Sequence, residues 1–491
     1  MARWGISIQM NHTARMAAWS LIGHGAARYL AWRLKSLTLQ SQHCYARCMQ
    51  MRIQRREVWL LTAIVLLGLT LRIFALSWNT FPHADVDGDA MVGAIFLETG
   101  GLWIEPPDPA TERHPSLFAR DSREGTPSLQ HGPVWLLLGA AATKLWSGST
   151  LMDVFLSLRM LSVLCGTAMI GMVWILVRPL VSRKAALFAA LWVSISYLLI
   201  DFSGNGAFYV LQGALYLLWI WIALQKPTRK RAAALGAVSG LTYLVNYQSI
   251  ILLPAALLLE LLQCRQQRGC LLRMVVVTAV TTLCVAPWLI RNAILVGDPF
   301  AHHLVNSNYI FSKSGIHATV VDYVYQFPGT WERTAAILSM MLTSWLPNNA
   351  FYIARKLFIL APLAFIFFSY GLIDQTLLHE RRNRLLPVLI LFAAHFLVSA
   401  GWPITKFRYF VPLLPLVFIL SLEAIEHLVP RFRTQTLLLS LISVSFVLTA
   451  ALTFFSVPTH TYYYDGAITT DPFSGRGEWN YLKDNNLLPS P

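Results

Sequence analysis

Apolar residues run along this chain in long blocks separated by short polar stretches. Val58–Leu76 and Leu437–Phe455 are long enough to cross the ~30 Å of hydrocarbon in a bilayer, which takes about 20 residues. Similar blocks recur near 184–200, 206–224, 231–247, 249–263, 385–401 and 409–428. Between blocks lie basic clusters at Arg52–Arg56, Arg178–Lys184, Lys226–Arg231, Arg265–Arg273, Glu380–Arg384 and Arg431–Arg433. Putting every cluster on the cytoplasmic side, as the positive-inside rule directs, requires an even number of crossings between neighbours. Segments 132–147 and 335–346 would break that parity. Both are short, so they are expected to be juxtamembrane helices at the outer face.

The expected fold is an all-α polytopic membrane protein with about 11 transmembrane helices (range roughly 10–13), N-terminus inside and C-terminal tail outside. Residues 1–57 form a basic extension, 58–456 the transmembrane domain and 457–491 a short extracytoplasmic tail. The large outer loops are 78–158 and 291–356. The bacterial inner membrane is the expected location. The extension has no clean apolar core with a small-residue cleavage site, and Met51 is as good a start as Met1.

Composition agrees with the class: 56% of 491 residues are apolar and 13% charged, where soluble domains carry about 25%. The formal charge of +15 comes from the clusters, so nucleic acid is not an expected partner; the lipid bilayer is. Of six cysteines, Cys165 and Cys284 sit in apolar runs, and Cys44 and Cys48 lack a second pair, so no zinc site follows.

Charge distribution singles out one region. Residues 78–153 hold ten of the 24 acids against four bases. At their head is Asp85-Val86-Asp87-Gly88-Asp89, just after the exit at Trp78–Pro82. Carboxylates this close repel, which raises the pKa of one and suits it to general-base work. Such a cluster can also ligate a divalent cation through oxygen, or simply solvate a loop. A divalent cation is the only cofactor the cluster suggests. At the same face, Arg291, Lys406 and Arg408 stand beside apolar blocks, as phosphate contacts or as snorkelling anchors. Asp201, between two blocks, is a second candidate acid.

After the cluster come Ala90–Thr99 in a helical pattern, Gly100-Gly101-Leu102-Trp103, and Gln130-His131-Gly132-Pro133-Val134-Trp135 opening the short segment. This order resembles the GT-C glycosyltransferases, in particular glycosyltransferase family 39 and the lipid A aminoarabinose transferases. Further likenesses are the Arg159-Met160-Leu161-Ser162 stretch, Phe208-Tyr209-Val210-Leu211, Pro287-Trp288-Leu289-Ile290-Arg291-Asn292 with Gly297-Asp298-Pro299-Phe300, and Arg408-Tyr409-Phe410-Val411-Pro412. They span roughly 59–430 as short motifs.

The resemblance implies inverting transfer of a sugar from a polyprenyl-phosphate donor to a lipid, protein or glycan acceptor. It implies Asp87 as general base, with Asp89 and Asp85 next, although the family carries Asp-Glu where this chain has Asp87-Gly88-Asp89. It implies donor-phosphate contacts from Arg291, Arg408, Lys406 and His131; His131 can equally cap a helix. The family's acid in the second outer turn falls nearer Tyr209 than Asp201. The main rival is a transporter or lipid flippase, for which spans would hold working ionisable groups; Arg72, Glu260 and His395 are the few there. A ligase or polymerase of surface glycans and a non-catalytic assembly protein complete the alternatives.

Overall fold

The computed structural model describes residues 55–78, 86–105, 126–129, 131–264, 269–303, 338–339, 341–373, 382–401, 407–456, 463–464 and 467–468. Fifteen α-helices lie among them: α1 (Arg55–Trp78), α2 (Val86–Thr99), α3 (Pro133–Leu145), α4 (Leu151–Val177) and α5 (Arg183–Ile195) come first. α6 (Tyr197–Asn205), α7 (Tyr209–Ala223), α8 (Arg229–Val245), α9 (Leu252–Cys264) and α10 (Cys270–Val296) follow. The chain then forms α11 (Leu346–Leu360), α12 (Pro362–Ile373), α13 (Arg382–Ala400), α14 (Leu414–Leu428) and α15 (Phe432–Ser456). Two small antiparallel ribbons complete the fold. β1 (Trp103–Glu105) pairs with β2 (Thr126–Pro127), and β3 (Tyr463–Tyr464) with β4 (Ala467–Ile468).

Apolar exposure separates the layers. α14 is buried on every side from Leu414 to Ile425, while α1, α10 and α15 expose Trp59, Leu66, Leu283, Ile294, Leu437 and Leu452. A helix apolar all round whose outer face is uncovered is one that meets lipid. Trp192, Phe418 and Phe446 interlock α5, α14 and α15 with ring centroids 5.1–5.9 Å apart. The protein is an integral, multi-pass membrane protein.

Four helices among the described residues are long and apolar enough to cross a membrane: α1, α4, α10 and α15. A bent pair, α5 with α6, makes a fifth. The expected number near eleven therefore rests on the basic clusters, since several expected crossings are short or interrupted helices. Segment 132–147 is short as expected: α3 has 13 residues, and packs on α4 and α2. In segment 335–346 the described residues 338–339 are α-helical, and Met341–Trp345 form a π turn that runs straight into α11. Both loop boundaries also move. α4 starts at Leu151 because Thr150 and Asp153 close a capping box, and α10 continues past Arg291 to Val296.

The basic clusters gather at one end. Arg178 meets Glu57 through two nitrogens at 3.0 and 3.3 Å. The Ser182 backbone N–H donates to Glu426 at 2.7 Å, and Lys184 donates to the Phe432 carbonyl and the Thr436 hydroxyl. Glu260, fully buried, takes Arg231 on one carboxylate oxygen and Arg273 on the other. These contacts bring together the ends of α1, α4, α5, α8, α9, α10, α14 and α15.

The break between α5 and α6 lies in a mainly apolar stretch, between Ser194 and Tyr197. The two helices bend by 52° at Ser196, which frees carbonyls that hydrocarbon cannot satisfy. Arg72 of α1, fully buried, supplies the donors: to the Val193 carbonyl at 3.0 Å, the Ser194 carbonyl at 3.4 Å and the Ser203 hydroxyl at 3.1 Å. Arg72→Met is expected to lower stability by about 1–3 kcal/mol, the cost of a buried unsatisfied polar group. The measurement is the thermal midpoint in detergent; an unchanged midpoint would remove Arg72 from this role.

Candidate functional site

The site lies at the end opposite the basic clusters, where α2 and α3 begin. Asp89, in the first turn of α2, is 2% exposed, and its Oδ1 stands 2.6 Å from Nδ1 of His131. An ionised carboxylate only accepts, so Nδ1 of His131 carries the proton of that bond. Forty-two residues separate the pair in sequence. Packing fixes His131 from the other side: Gly132 caps α3, and a Cβ there would come 2.0 Å from the Leu244 carbonyl. Only glycine lets the chain pass so close to α8. The Tyr247 hydroxyl donates to the His131 carbonyl at 2.9 Å, and the His131 ring meets the edge of Phe208 at 5.3 Å.

Next to Phe208 an aromatic row leads to a guanidinium. α6 ends at Gly206, whose φ of 91° turns the chain into α7. Arg159 and Trp135 hold that turn by donating to the carbonyls of Gly204 and Gly206 at 2.8 and 3.0 Å. Tyr209 is therefore buried against Phe208, ring centroids 4.3 Å apart, and near Tyr409 at 6.3 Å. The Arg408 guanidinium lies 5.9 Å from the Tyr209 ring and 5.6 Å from that of Tyr409, within cation–π range.

Arg291 differs from its expected use. Its terminal nitrogens donate to the Leu102 carbonyl at 2.6 Å and the Ser128 carbonyl at 3.1 Å, and its guanidinium lies over Trp288 at 4.5 Å. Arg291 thus clamps the β1–β2 ribbon that leads into His131. Asp201 also moves: it sits inside α6, partly exposed, and the turn follows at Gly206. Asp87 is in the first turn of α2, but its side chain lies outside the described residues, as do Asp85 and Lys406 altogether. Among the described residues no group of three His, Cys, Asp or Glu is arranged to hold a metal ion.

Sequence reasoning missed a cluster beside His131. His302 and His303 both meet the Tyr243 hydroxyl, His303 at 2.8 Å, and the Tyr247 ring lies 4.5 Å from that of His302. Burial, and then the neighbouring His303, push the His302 pKa down to about 3. Burial lowers His303 as well, against the opposing charge of Asp298. The signal was available as Tyr243 and Tyr247 one helical turn apart and a His doublet after Gly297-Asp298-Pro299-Phe300.

Known proteins with this architecture define the class. The chain superposes on the Archaeoglobus fulgidus oligosaccharyltransferase complexed with Zn and sulfate, with a TM-score of 0.54 and 16% identity, over 88% of this chain and 57% of that one. The archaeal oligosaccharyltransferase AglB from the same organism, with an inhibitory peptide and a dolichol-phosphate, gives 0.54 and 15%, over 89% and 60%. ArnT from Cupriavidus metallidurans bound to undecaprenyl phosphate gives 0.49 and 16%, over 81% and 64%. The chain thus spans less than two thirds of the length of the oligosaccharyltransferases it matches. No curated protein matches it. Residues 130–290 match the family described as dolichyl-phosphate-mannose-protein mannosyltransferase. The chain shares the fold of these solved structures.

Proposed function

We propose that this protein moves a glycosyl group from a polyprenyl-phosphate-linked donor to a lipid, protein or glycan acceptor, at the extracytoplasmic face of the bacterial inner membrane. The observation that carries the reading is the pair of buried Asp89 and partly exposed His131 at the head of α3, joined through Phe208 and Tyr209 to Arg408. An imidazole held by a carboxylate and a guanidinium on an aromatic row together suit a phosphate at a membrane interface.

In this reading Asp89 positions His131, which leaves Asp87, then Asp85, as general base. Asp87 takes the proton of the acceptor hydroxyl or amine. The acceptor atom attacks the anomeric carbon from the side opposite the phosphate. The bond from that carbon to the phosphate oxygen breaks, its electron pair leaves with polyprenyl phosphate, and configuration inverts. Arg408, Lys406 and His131 contact the leaving phosphate, while Arg291 acts through the ribbon it clamps. A divalent cation, if used, would be held by Asp85 and Asp87.

The transporter reading needs span ionisable groups that exchange partners. Arg72, Glu260 and His395 are tied into the packing. Arg72 and Glu260 are bound as described above. His395 accepts from the Tyr216 hydroxyl at 2.9 Å on Nδ1 and donates from Nε2 to the Tyr409 carbonyl at 3.0 Å.

The test gives purified full-length protein a panel of polyprenyl-phosphate sugars with membrane extract as acceptor, with and without EDTA. Release of polyprenyl phosphate from at least one donor is expected, with inverted sugar in the product. No release from any donor, together with directional flux in proteoliposomes, would overturn the reading in favour of transport. Full activity in EDTA would remove the cation.

A further inference from the structure

The cluster beside His131 has a direction that follows from which atoms donate. Arg291 has only donors, so the Asn292 oxygen that meets it at 3.1 Å is an acceptor and the amide nitrogen faces the other way. That nitrogen stands 3.2 Å from Nδ1 of His302. Nδ1 therefore accepts, the His302 proton sits on Nε2, and Nε2 donates to the Tyr243 hydroxyl. The Tyr243 proton is then directed at Nε2 of His303, 2.8 Å away. One oriented chain runs Arg291 to Asn292 to His302 to Tyr243 to His303. The low His302 pKa keeps its neutral tautomer in place at ordinary pH.

Two arms reach from this chain to His131. Arg291, at its head, holds the Ser128 carbonyl three residues before His131. Tyr247, packed between Tyr243 and His302 with ring centroids 5.4 and 4.5 Å away, donates its only hydroxyl proton to the His131 carbonyl. Both flanks of His131 are thereby fixed, one by the turn after α8 that carries Tyr247 and the other by α10 through Arg291.

We infer that Tyr243, Tyr247, Asn292 and His302 are positioning residues that hold His131 at the donor phosphate by gripping its backbone. The inference rests on the proposed donor contact of His131. It gives the cluster a task beyond packing: the hydrogen bonds of Arg291 and Tyr247 end on main-chain carbonyls of the segment carrying the imidazole. Loosening the grip spreads the imidazole over several positions, which weakens donor binding without touching the proton-accepting group. Donor KM rises while kcat holds.

The experiment compares wild type with Tyr247→Phe, Tyr243→Phe and His302→Gln, as purified full-length protein. Hydrogen–deuterium exchange of 126–135 is measured alongside donor KM and kcat, and the thermal midpoint checks folding. Faster exchange over 126–135 is expected in all three variants, with a rise of about 5–10-fold in donor KM, the loss of one hydrogen bond of about 1 kcal/mol, and kcat within twofold. Tyr247→Phe is the mildest variant and keeps the test valid if His302→Gln misfolds. Unchanged exchange in folded Tyr247→Phe and Tyr243→Phe would overturn the positioning role. Faster exchange with unchanged donor KM would overturn its link to the donor. Faster exchange in a protein that transfers no sugar would instead sink the proposed function and leave the backbone grip standing.

Discussion

Asp87→Asn is expected to cut turnover about 10²–10⁴-fold, the usual contribution of a general base, with donor KM close to that of wild type. Asparagine keeps the shape of the side chain and removes its capacity to take a proton. Position favours this residue over its neighbours. It lies in the first turn of α2, where the helix dipole stabilises a carboxylate, and buried Val86 beside it anchors that turn. Asp89 is committed to His131, so Asp89→Asn is expected to act through the donor and raise its KM instead. The assay is release of polyprenyl phosphate under saturating donor. Turnover of Asp87→Asn within twofold of wild type would take the base role from Asp87, and the same measurement on Asp85→Asn would then decide the cluster.

The largest effect on stability is expected at the opposite end. Glu260→Ala should destabilise the protein by about 3–5 kcal/mol, because it leaves Arg231 and Arg273 buried without their shared carboxylate. Arg231 and Arg273 are each 4% exposed and Glu260 fully buried, so water cannot replace the lost partner. The attraction itself is not the source of that figure. Taking three charges out of water costs about as much as their pairing returns, so an apolar replacement of all three is expected to recover most of the loss. Thermal unfolding in detergent of Glu260→Ala, beside the combined Arg231→Met, Glu260→Leu, Arg273→Met protein, separates the two statements. A single variant as stable as wild type would refute the first.

The membrane class was legible because it rests on strong local signals. Apolar blocks gave the helices, and basic clusters said which ends belong together, as the Glu57–Arg178 and Glu260 contacts bear out. His131 and Asp89 were each marked by their place beside a helix start, and the short α3 puts them at one level. The rest depended on partners far away in sequence. Nothing near Ser196 announces a break, since the residue that satisfies it is Arg72 on another helix. Arg291 reads as a free interfacial cation until the β1–β2 ribbon folds onto it. Asp201 reads as a turn residue because the true turn, at Gly206, lies five positions on. His302 and His303 are silent as letters, and acquire a role only when Tyr243 stands between them.

Arg72 also says something about the order in which the protein is made. Three of its acceptors, on Val193, Ser194 and Ser203, lie 121–131 residues further along the chain. When α1 emerges from the ribosome none of them yet exists. A lone Arg within a span costs about 2.5–3.5 kcal/mol at insertion, which an otherwise all-apolar helix can carry for a while. Biogenesis of the first helix is thus completed only after α5 and α6 have been synthesised. Until then the Gly68 carbonyl of its own helix is the one acceptor described for Arg72 that has already been made.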